Sequence, residues 1–322
     1  MEPQRRLLMI IGFFVAMGTV RAGLWLFTPA PDRGDFEVPG VIGEVEAPEV
    51  VVIFRGIEPR ETFRLSPTEG ARRSFRLTTW DESSSVTEGT TLARSSAEAR
   101  IDVDGRVKEV RDDGAFEWRW EVDAVEVVHF EAEGEMADKG QGFAIEELEG
   151  LEGTAVVDNQ GYVLRSSLDG GGKNAPKELR QHVARVLSEP SPHLPDEPIG
   201  ERAIWEVRRV EQVQGVATAI VQRFELMKAS GDRIELREKT SATAERQTIT
   251  TLAAFGMEVL SADVIEFAAK GSGDWVFELD GALAWRGEGW SEQATDLELA
   301  FSGLPIVLHV LVKTEVALDP LP

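Results

Sequence analysis

The chain has 322 residues, no cysteine and a formal net charge of −23 at pH 7. The lack of cysteine excludes a disulfide framework, cysteine-ligated metals and a thiol nucleophile. The negative charge disfavours nucleic acid and anionic membrane surfaces as partners, and it leaves cationic partners open. A hydrophobic content of 42% is sufficient for a packed core.

The N-terminus has the features of a bacterial-type export signal. Arg5 and Arg6 precede a run without charge at residues 7–20, which matches the positive and apolar regions of such signals. Cleavage after Ala22 is one interpretation. The other is that residues 1–27 remain as an N-terminal membrane anchor, because the residues after position 22 are apolar again. Both predict an extracytoplasmic protein, which is periplasmic, cell-envelope or secreted.

An acidic linker rich in proline and glycine is predicted at residues 28–48. The first β-rich half follows at 49–189, and it opens with the strand-like sequence EVVVIF at 49–54. Asp104-Gly105 predicts a two-residue hairpin turn between alternating runs. A second turn is predicted at residues 158–161.

The first half ends in a predicted amphipathic helix at residues 176–188. A proline suits its first turn. Its apolar residues recur at helical spacing and form one stripe: Leu179, Val183, Val186 and Leu187. A proline-rich link at 190–198 ends the helix. We expect the stripe to pack on the flanking strands.

The second β-rich half is predicted at 199–322. Gly231 and Asp280-Gly281 mark hairpin turns, and residues 306–312 are almost wholly apolar, as in a buried closing strand. Because hairpins join antiparallel strands, we predict a mainly β (α+β) fold. It is a large curved antiparallel sheet or half-barrel in two similar halves, with one central amphipathic helix.

No catalytic residue, metal site or cofactor is predicted. The four histidines have no metal-pair spacing, and no nucleophile motif occurs. Glu131, Glu133 and Glu135 fall on one face of a predicted strand and are interpreted as a solvated face rather than a cation site.

Tryptophan is the more informative residue type, since the chain has 8 of them. Trp118 and Trp120 share one strand face at period two, and Trp285 ends another strand. These three are predicted to bind an apolar ligand in a cavity. The alternative is that they fill the core of the sheet.

The first β-rich half has the sequence TAVVDNQGYVL at 154–164, before the helix. The second half opens with PIGERAIWEV at 198–207. With the leader and linker, this layout resembles exported proteins of the bacterial envelope that have two β-rich halves. It is also similar in style to lipoprotein-carrier half-barrels, in which helices lie on the concave side of a curved sheet. That similarity implies a bound acyl chain or other hydrophobic ligand.

The functional hypothesis is a non-enzymatic envelope protein that binds a hydrophobic ligand or a protein partner, with membrane contact through the N-terminal segment if it is uncleaved. Two alternatives stay open. One is an exported hydrolase that uses paired carboxylates, and the other is a purely structural surface domain.

Overall fold

The computed structural model describes residues 48–133, 145–172, 174–175, 177–188, 192–213, 216–249, 262–281, 284–301 and 304–321. The export segment and all but the last residue of the linker lie outside these ranges. The strands in chain order are β1 (Glu49–Phe54), β2 (Arg72–Thr87), β3 (Thr90–Val110), β4 (Phe116–Glu133), β5 (Glu152–Val157), β6 (Val163–Gly170), β7 (Ile204–Val213), β8 (Val216–Ser230), β9 (Arg233–Ala244), β10 (Gln247–Ile249), β11 (Ala262–Glu278), β12 (Ala284–Phe301) and β13 (Leu304–Pro320). Helix α1 comprises Lys177–Ser188, close to the predicted 176–188.

The strands form one open antiparallel sheet in the order β1-β7-β8-β9-β11-β12-β13-β2-β3-β4-β5-β6, and β10 pairs with β11 beside this path. The predicted mainly β class and antiparallel architecture are therefore confirmed. Strand β13 pairs with β12 of the second predicted half and with β2 of the first, and so it joins the two halves.

Strand β1 lies in the first predicted half but pairs with β7 of the second. Both predicted halves therefore contribute strands to the same sheet. The boundaries predicted at 49–189, 190–198 and 199–322 remain predictions as divisions between domains.

The curvature of the sheet is visible where its two ends meet the same short segment. The backbone N–H of Leu194 donates to the carbonyl of Gln160, in the β5–β6 turn, at 2.8 Å. The neighbouring carbonyl of His193 accepts the indole N–H of Trp205, on β7, at 2.9 Å. Strands near opposite ends of the sheet thus lie within hydrogen-bond reach of two consecutive residues.

Alternate residues of the strands are buried, and we call the side of the sheet that carries them the inner face. In β2, for example, every second residue from Phe75 to Ser85 is buried. Helix α1 contacts β4, β5 and β6, whose inner face it covers. Its predicted apolar stripe is buried: Leu179, Val183, Val186 and Leu187.

The turn predicted at residues 158–161 is confirmed. A carboxylate oxygen of Asp158 accepts the backbone N–H of Gln160 at 2.8 Å and that of Tyr162 at 2.9 Å. Gly161 takes a φ of 95°, which favours glycine. The side-chain bonds and the glycine together close the β5–β6 hairpin.

The turn predicted at Asp104-Gly105 is wrong, because β3 continues without interruption from Thr90 to Val110. Gly105 is an inner-face residue that pairs with Trp120 of β4. The glycine is required by the close approach of a neighbouring tryptophan ring rather than by a change of chain direction.

Candidate functional site on the inner face

Two of the predicted ligand-binding tryptophans lie in the core beneath α1. Trp118 is 0% exposed and Trp120 is 1% exposed. Their indole N–H groups donate to the carbonyl of Leu187 at 3.2 Å and to the Ser188 hydroxyl at 3.3 Å. They hold the end of the helix against the sheet, as the core-filling alternative expects. Ligand contact by these residues stays a prediction.

The third residue, Trp285, lies in β12, but its side chain is outside the described part of the structure. Its role in ligand binding also stays a prediction. The structure therefore brings Trp118 and Trp120 together on one face of β4.

A network of buried polar side chains lies on the inner face of β7, β8 and β9. We call Arg209, Glu211, Gln222 and Glu238 the inner polar cluster. The Arg209 guanidinium donates to Glu211 Oε1 and to Gln222 Oε1. The Gln222 amide donates in turn to Glu238 Oε1 at 2.8 Å. One chain of hydrogen bonds thus connects three adjacent strands.

Glu238 closes this network toward β11. Its Oε1 also accepts the Thr240 hydroxyl at 2.6 Å, and its Oε2 accepts the Trp275 indole N–H at 3.0 Å. Burial raises the pKa of the Glu238 carboxyl, and the hydrogen bonds from Thr240 and Gln222 oppose that rise. A buried carboxyl with bonds to both oxygens fixes the positions of its neighbours.

His193 lies close to the same cluster, in the segment that contacts both ends of the sheet. Burial, assisted by the positive charge of Arg209, lowers the pKa of His193 to about 3. The imidazole is therefore neutral at physiological pH. Its ring lies against that of Tyr162, with the ring centroids 4.8 Å apart.

Further polar residues continue this layer on β13, β2 and β3. The Thr314 hydroxyl donates to Asp81 Oδ1 at 2.6 Å, and the hydroxyls of Ser83 and Ser95 lie 2.9 Å apart. We call these four residues together with the inner polar cluster and Thr240 the polar belt. Its members lie on β7, β8 and β9 and on β13, β2 and β3.

A separate apolar cluster lies on the same face, on the side of the belt that is away from α1. The second apolar cluster is formed by Val216, Ile220, Ala242, Ala262, Val264, Phe267, Ala269, Leu297, Leu308, Val310 and Val312. These residues come from β8, β9, β11, β12 and β13. The core beneath α1 is a different cluster.

Strand β9 shows how the belt separates the two apolar clusters. Along the inner face of β9, Ala242 belongs to the second apolar cluster and Thr240 and Glu238 to the belt, whereas Leu236 and Ile234 belong to the core beneath α1. The inner face is therefore apolar at both ends and polar between them.

The belt has a signal in the sequence, which is the presence of polar residues at strand positions that are expected to be apolar. In β8 and β9, Gln222, Glu238 and Thr240 occupy the strand positions that elsewhere carry apolar residues. A polar residue on the apolar phase of a strand indicates a hydrogen-bonded interior position. Strand order is needed to see that these positions are neighbours.

Within the described ranges, no group of three or more histidine, aspartate or glutamate residues could hold a metal ion. Glu131 and Glu133 are exposed in β4, while Glu135 lies outside those ranges. In the same part of the chain, none of the helices has the length and apolar character needed to cross a membrane.

No protein-family model matches this chain, and no curated protein matches it. Among solved structures, a chain described as "lipid-protein interactions in lipovitellin" is similar at a TM-score of 0.43 and 10% sequence identity. The similarity covers 79% of this chain and 25% of that chain. A likeness of this size carries no argument about function, and the resemblance to exported envelope proteins stays a prediction.

Proposed function

We propose that this protein binds a hydrophobic ligand, a lipid or an acyl chain, on the inner face of its sheet. In this proposal it is a non-enzymatic protein of the cell envelope, outside the cytoplasm. The observation that carries the proposal is the second apolar cluster, which is separate from the core that α1 covers.

The chemistry of the inner face suits an amphipathic molecule. Apolar side chains from five adjacent strands form one cluster in which each is at most 9% exposed, so a ligand would insert between them. Each CH₂ group that it buries against the apolar surface there contributes about 0.8 kcal/mol. The polar belt lies directly beside that surface and offers hydroxyl, amide and carboxyl groups to a polar end. A chain of eight methylene groups would therefore gain about 6 kcal/mol from burial.

The location rests on the leader alone. Arg5, Arg6 and the run without charge at 7–20 support export, whether or not the segment is removed. A fusion of alkaline phosphatase to the C-terminus tests this, because the enzyme folds only outside the cytoplasm. A fusion that is made in full but has no phosphatase activity would overturn the location.

Native mass spectrometry of the purified protein, with organic extraction of bound molecules, tests the ligand. We expect a stoichiometric apolar molecule, and displacement of it by a fluorescent fatty acid. A mass without ligand that is unchanged after incubation with envelope lipids would contradict the proposal and favour a structural surface domain.

A pair of matched variants locates the ligand. Ala269→Leu adds bulk within the second apolar cluster, whereas Ala99→Leu adds the same bulk to the core beneath α1. We expect only Ala269→Leu to weaken fatty-acid binding, by about tenfold if contact with two CH₂ groups is lost. Equal weakening by both variants would instead indicate a general loss of folding, which thermal melting would report.

The hydrolase alternative receives less support from the geometry. Glu238 has a raised pKa, as a general acid requires. It is only 3% exposed, however, and both of its oxygens accept hydrogen bonds from protein side chains. A glycoside would need to displace those bonds to reach the carboxyl, so positioning of the belt is the simpler role.

A further inference from the structure

The outer face of the sheet, opposite the inner face, carries two tryptophans in one row across β12, β13 and β2. In the register of the sheet, Trp290 of β12 lies opposite Glu315 of β13, and Glu315 lies opposite Trp80 of β2. Neighbouring strands are about 4.8 Å apart, so the backbones of the two tryptophans are about 9.6 Å apart with the carboxylate between them. We call Trp290, Glu315 and Trp80 the outer aromatic row.

Exposure distinguishes this row from the other tryptophans whose side chains the structure describes. Trp290 is 44% exposed, and Trp80 is partly exposed, whereas Trp118, Trp120 and Trp275 are buried. An indole that is nearly half exposed on a strand is not explained by core packing.

Carboxylates border the row. Glu288 and Glu292 flank Trp290 two residues away on the same strand face, and Glu98 of β3 lies opposite Trp80. Glu98 lies 3.6 Å from the guanidinium of Arg100, and Glu292 lies 3.4 Å from the ammonium of Lys270.

The remaining two charges are not balanced in this way. Glu315 and Glu288 are exposed, and neither forms an ion pair with a residue in the described ranges. Lys313 lies two residues from Glu315 on the same face, but in the register of the sheet it is opposite Glu292 and Glu82. The centre of the row therefore combines two aromatic faces with uncompensated negative charge.

Guanidinium and ammonium groups are attracted both by indole faces and by carboxylates. A cation beside Glu315 would contact at least one indole and would meet a chain whose net charge is −23. We propose that the outer aromatic row binds the cationic side chains of a protein partner, with arginine preferred because its plane stacks on indole. This surface is on the opposite side of the sheet from the proposed ligand site, and the inference does not depend on that site.

Fluorescence anisotropy of a labelled (Gly-Arg)₆ peptide, titrated with the full chain in a non-ionic detergent, tests the inference. The matched ligand is (Gly-Gln)₆, which has the same length and no charge. We expect binding of the arginine peptide only, weakening as salt is raised from 50 to 300 mM through charge screening. A wild-type chain that fails to bind the arginine peptide would overturn the proposal.

Variants then assign the contact. Trp290→Ala and Glu315→Gln should each weaken binding by about two- to fivefold. The controls are Leu164→Ala on β6 and Glu121→Gln on β4, which remove an exposed apolar and an exposed acidic side chain elsewhere. These two should leave the affinity unchanged.

Two outcomes would contradict the assignment. Equal affinity of the wild type and the Trp290→Ala/Glu315→Gln double variant would place peptide binding elsewhere. Weakening by Trp290→Ala alone, with no effect of Glu315→Gln or of salt, would show that the peptide stacks on the indole without an ionic contact to the row. Unchanged thermal melting of the variants shows that the effect is local.

Discussion

The ring of Trp118 occupies the space that a side chain at Gly105 would need. A Cβ atom built on Gly105 would come within 1.8 Å of Trp118 Cη2. The tryptophan in turn donates its indole N–H to the last turn of α1. One glycine in β3 therefore leaves room for the ring beneath the helix.

We expect Gly105→Ala to destabilise the protein by about 1–3 kcal/mol, because the added methyl group overpacks the core. Urea unfolding measures the change. In a Trp118→Leu background the same substitution should cost less or stabilise, since alanine is otherwise better than glycine in a strand. An equal cost in both backgrounds would show that the ring is not the cause.

Gly105 also shows where reasoning from sequence stops. The pair Asp104-Gly105 between alternating runs is a common hairpin signal, yet its glycine serves a long-range contact with residue 118. Local patterns correctly predicted the helix and the turn at 158–161, because those features depend on neighbouring residues. The contact between β3 and a ring on β4 depends on strand pairing.

The same distinction applies to the candidate site. Period-two alternation predicted that Trp118 and Trp120 share an inward face, which the structure confirms. Nothing local indicated that β13 pairs with β2, or that Arg209 and Glu238 belong to one network across three strands. Those relationships arise from strand order, which hydrophobic periodicity does not encode.

The buried pair of Arg209 and Glu211 should contribute far more to stability than a surface pair. Their side chains are 8% and 0% exposed, compared with 60% and 26% for Arg94 and Glu82. Arg209→Met leaves a buried carboxylate without its cation and should cost about 3–5 kcal/mol. Arg94→Met should have a much smaller effect, because solvent screens that pair. Urea unfolding of both variants makes the comparison.

Replacing both members of the buried pair separates the charge from the packing. The variant Arg209→Met/Glu211→Leu should recover part of the loss, because it removes the buried Glu211 carboxylate that the single variant leaves without Arg209. If Arg209→Met costs no more than Arg94→Met, burial does not make the Arg209–Glu211 pair more important for stability than a surface pair.

His193 should make the protein sensitive to acid. Its folded-state pKa is lowered to about 3, so below the ordinary value of 6.5 the unfolded chain binds a proton that the folded chain does not. The contribution of His193 is therefore fully present above pH 6.5 and is lost as pH falls toward 3, by up to about 1.4 kcal/mol per pH unit. His193→Phe should reduce this acid loss, as measured by urea unfolding between pH 7.5 and 4.5.

Tyr162→Phe is the control for the aromatic contact. Burial raises the pKa of Tyr162 to about 12, so its hydroxyl does not titrate in the acid range. This variant should change the stability by a similar amount at every pH in the series. An acid loss in His193→Phe as steep as that of the wild type would contradict the assignment to the imidazole.

Glu238 should act with the opposite sign. Because its pKa is raised, the folded protein keeps a proton above pH 4.5 that the unfolded chain releases. Its contribution to stability is thus greatest at low pH and falls as pH rises from 4.5 through the raised pKa. Glu238→Gln cannot lose a proton, so the stability of the variant relative to wild type should rise across that window.

Glu206→Gln is the matched control, because hydrogen bonds from Arg223 and Arg208 lower the pKa of Glu206. The contribution of Glu206 is lost as pH falls, so the stability of Glu206→Gln relative to wild type should rise toward low pH. Opposite trends in the two glutamine variants would separate burial from ion pairing as the cause of each shift. If both variants follow the same trend with pH, the Glu238 carboxyl does not hold its proton more tightly in the folded protein.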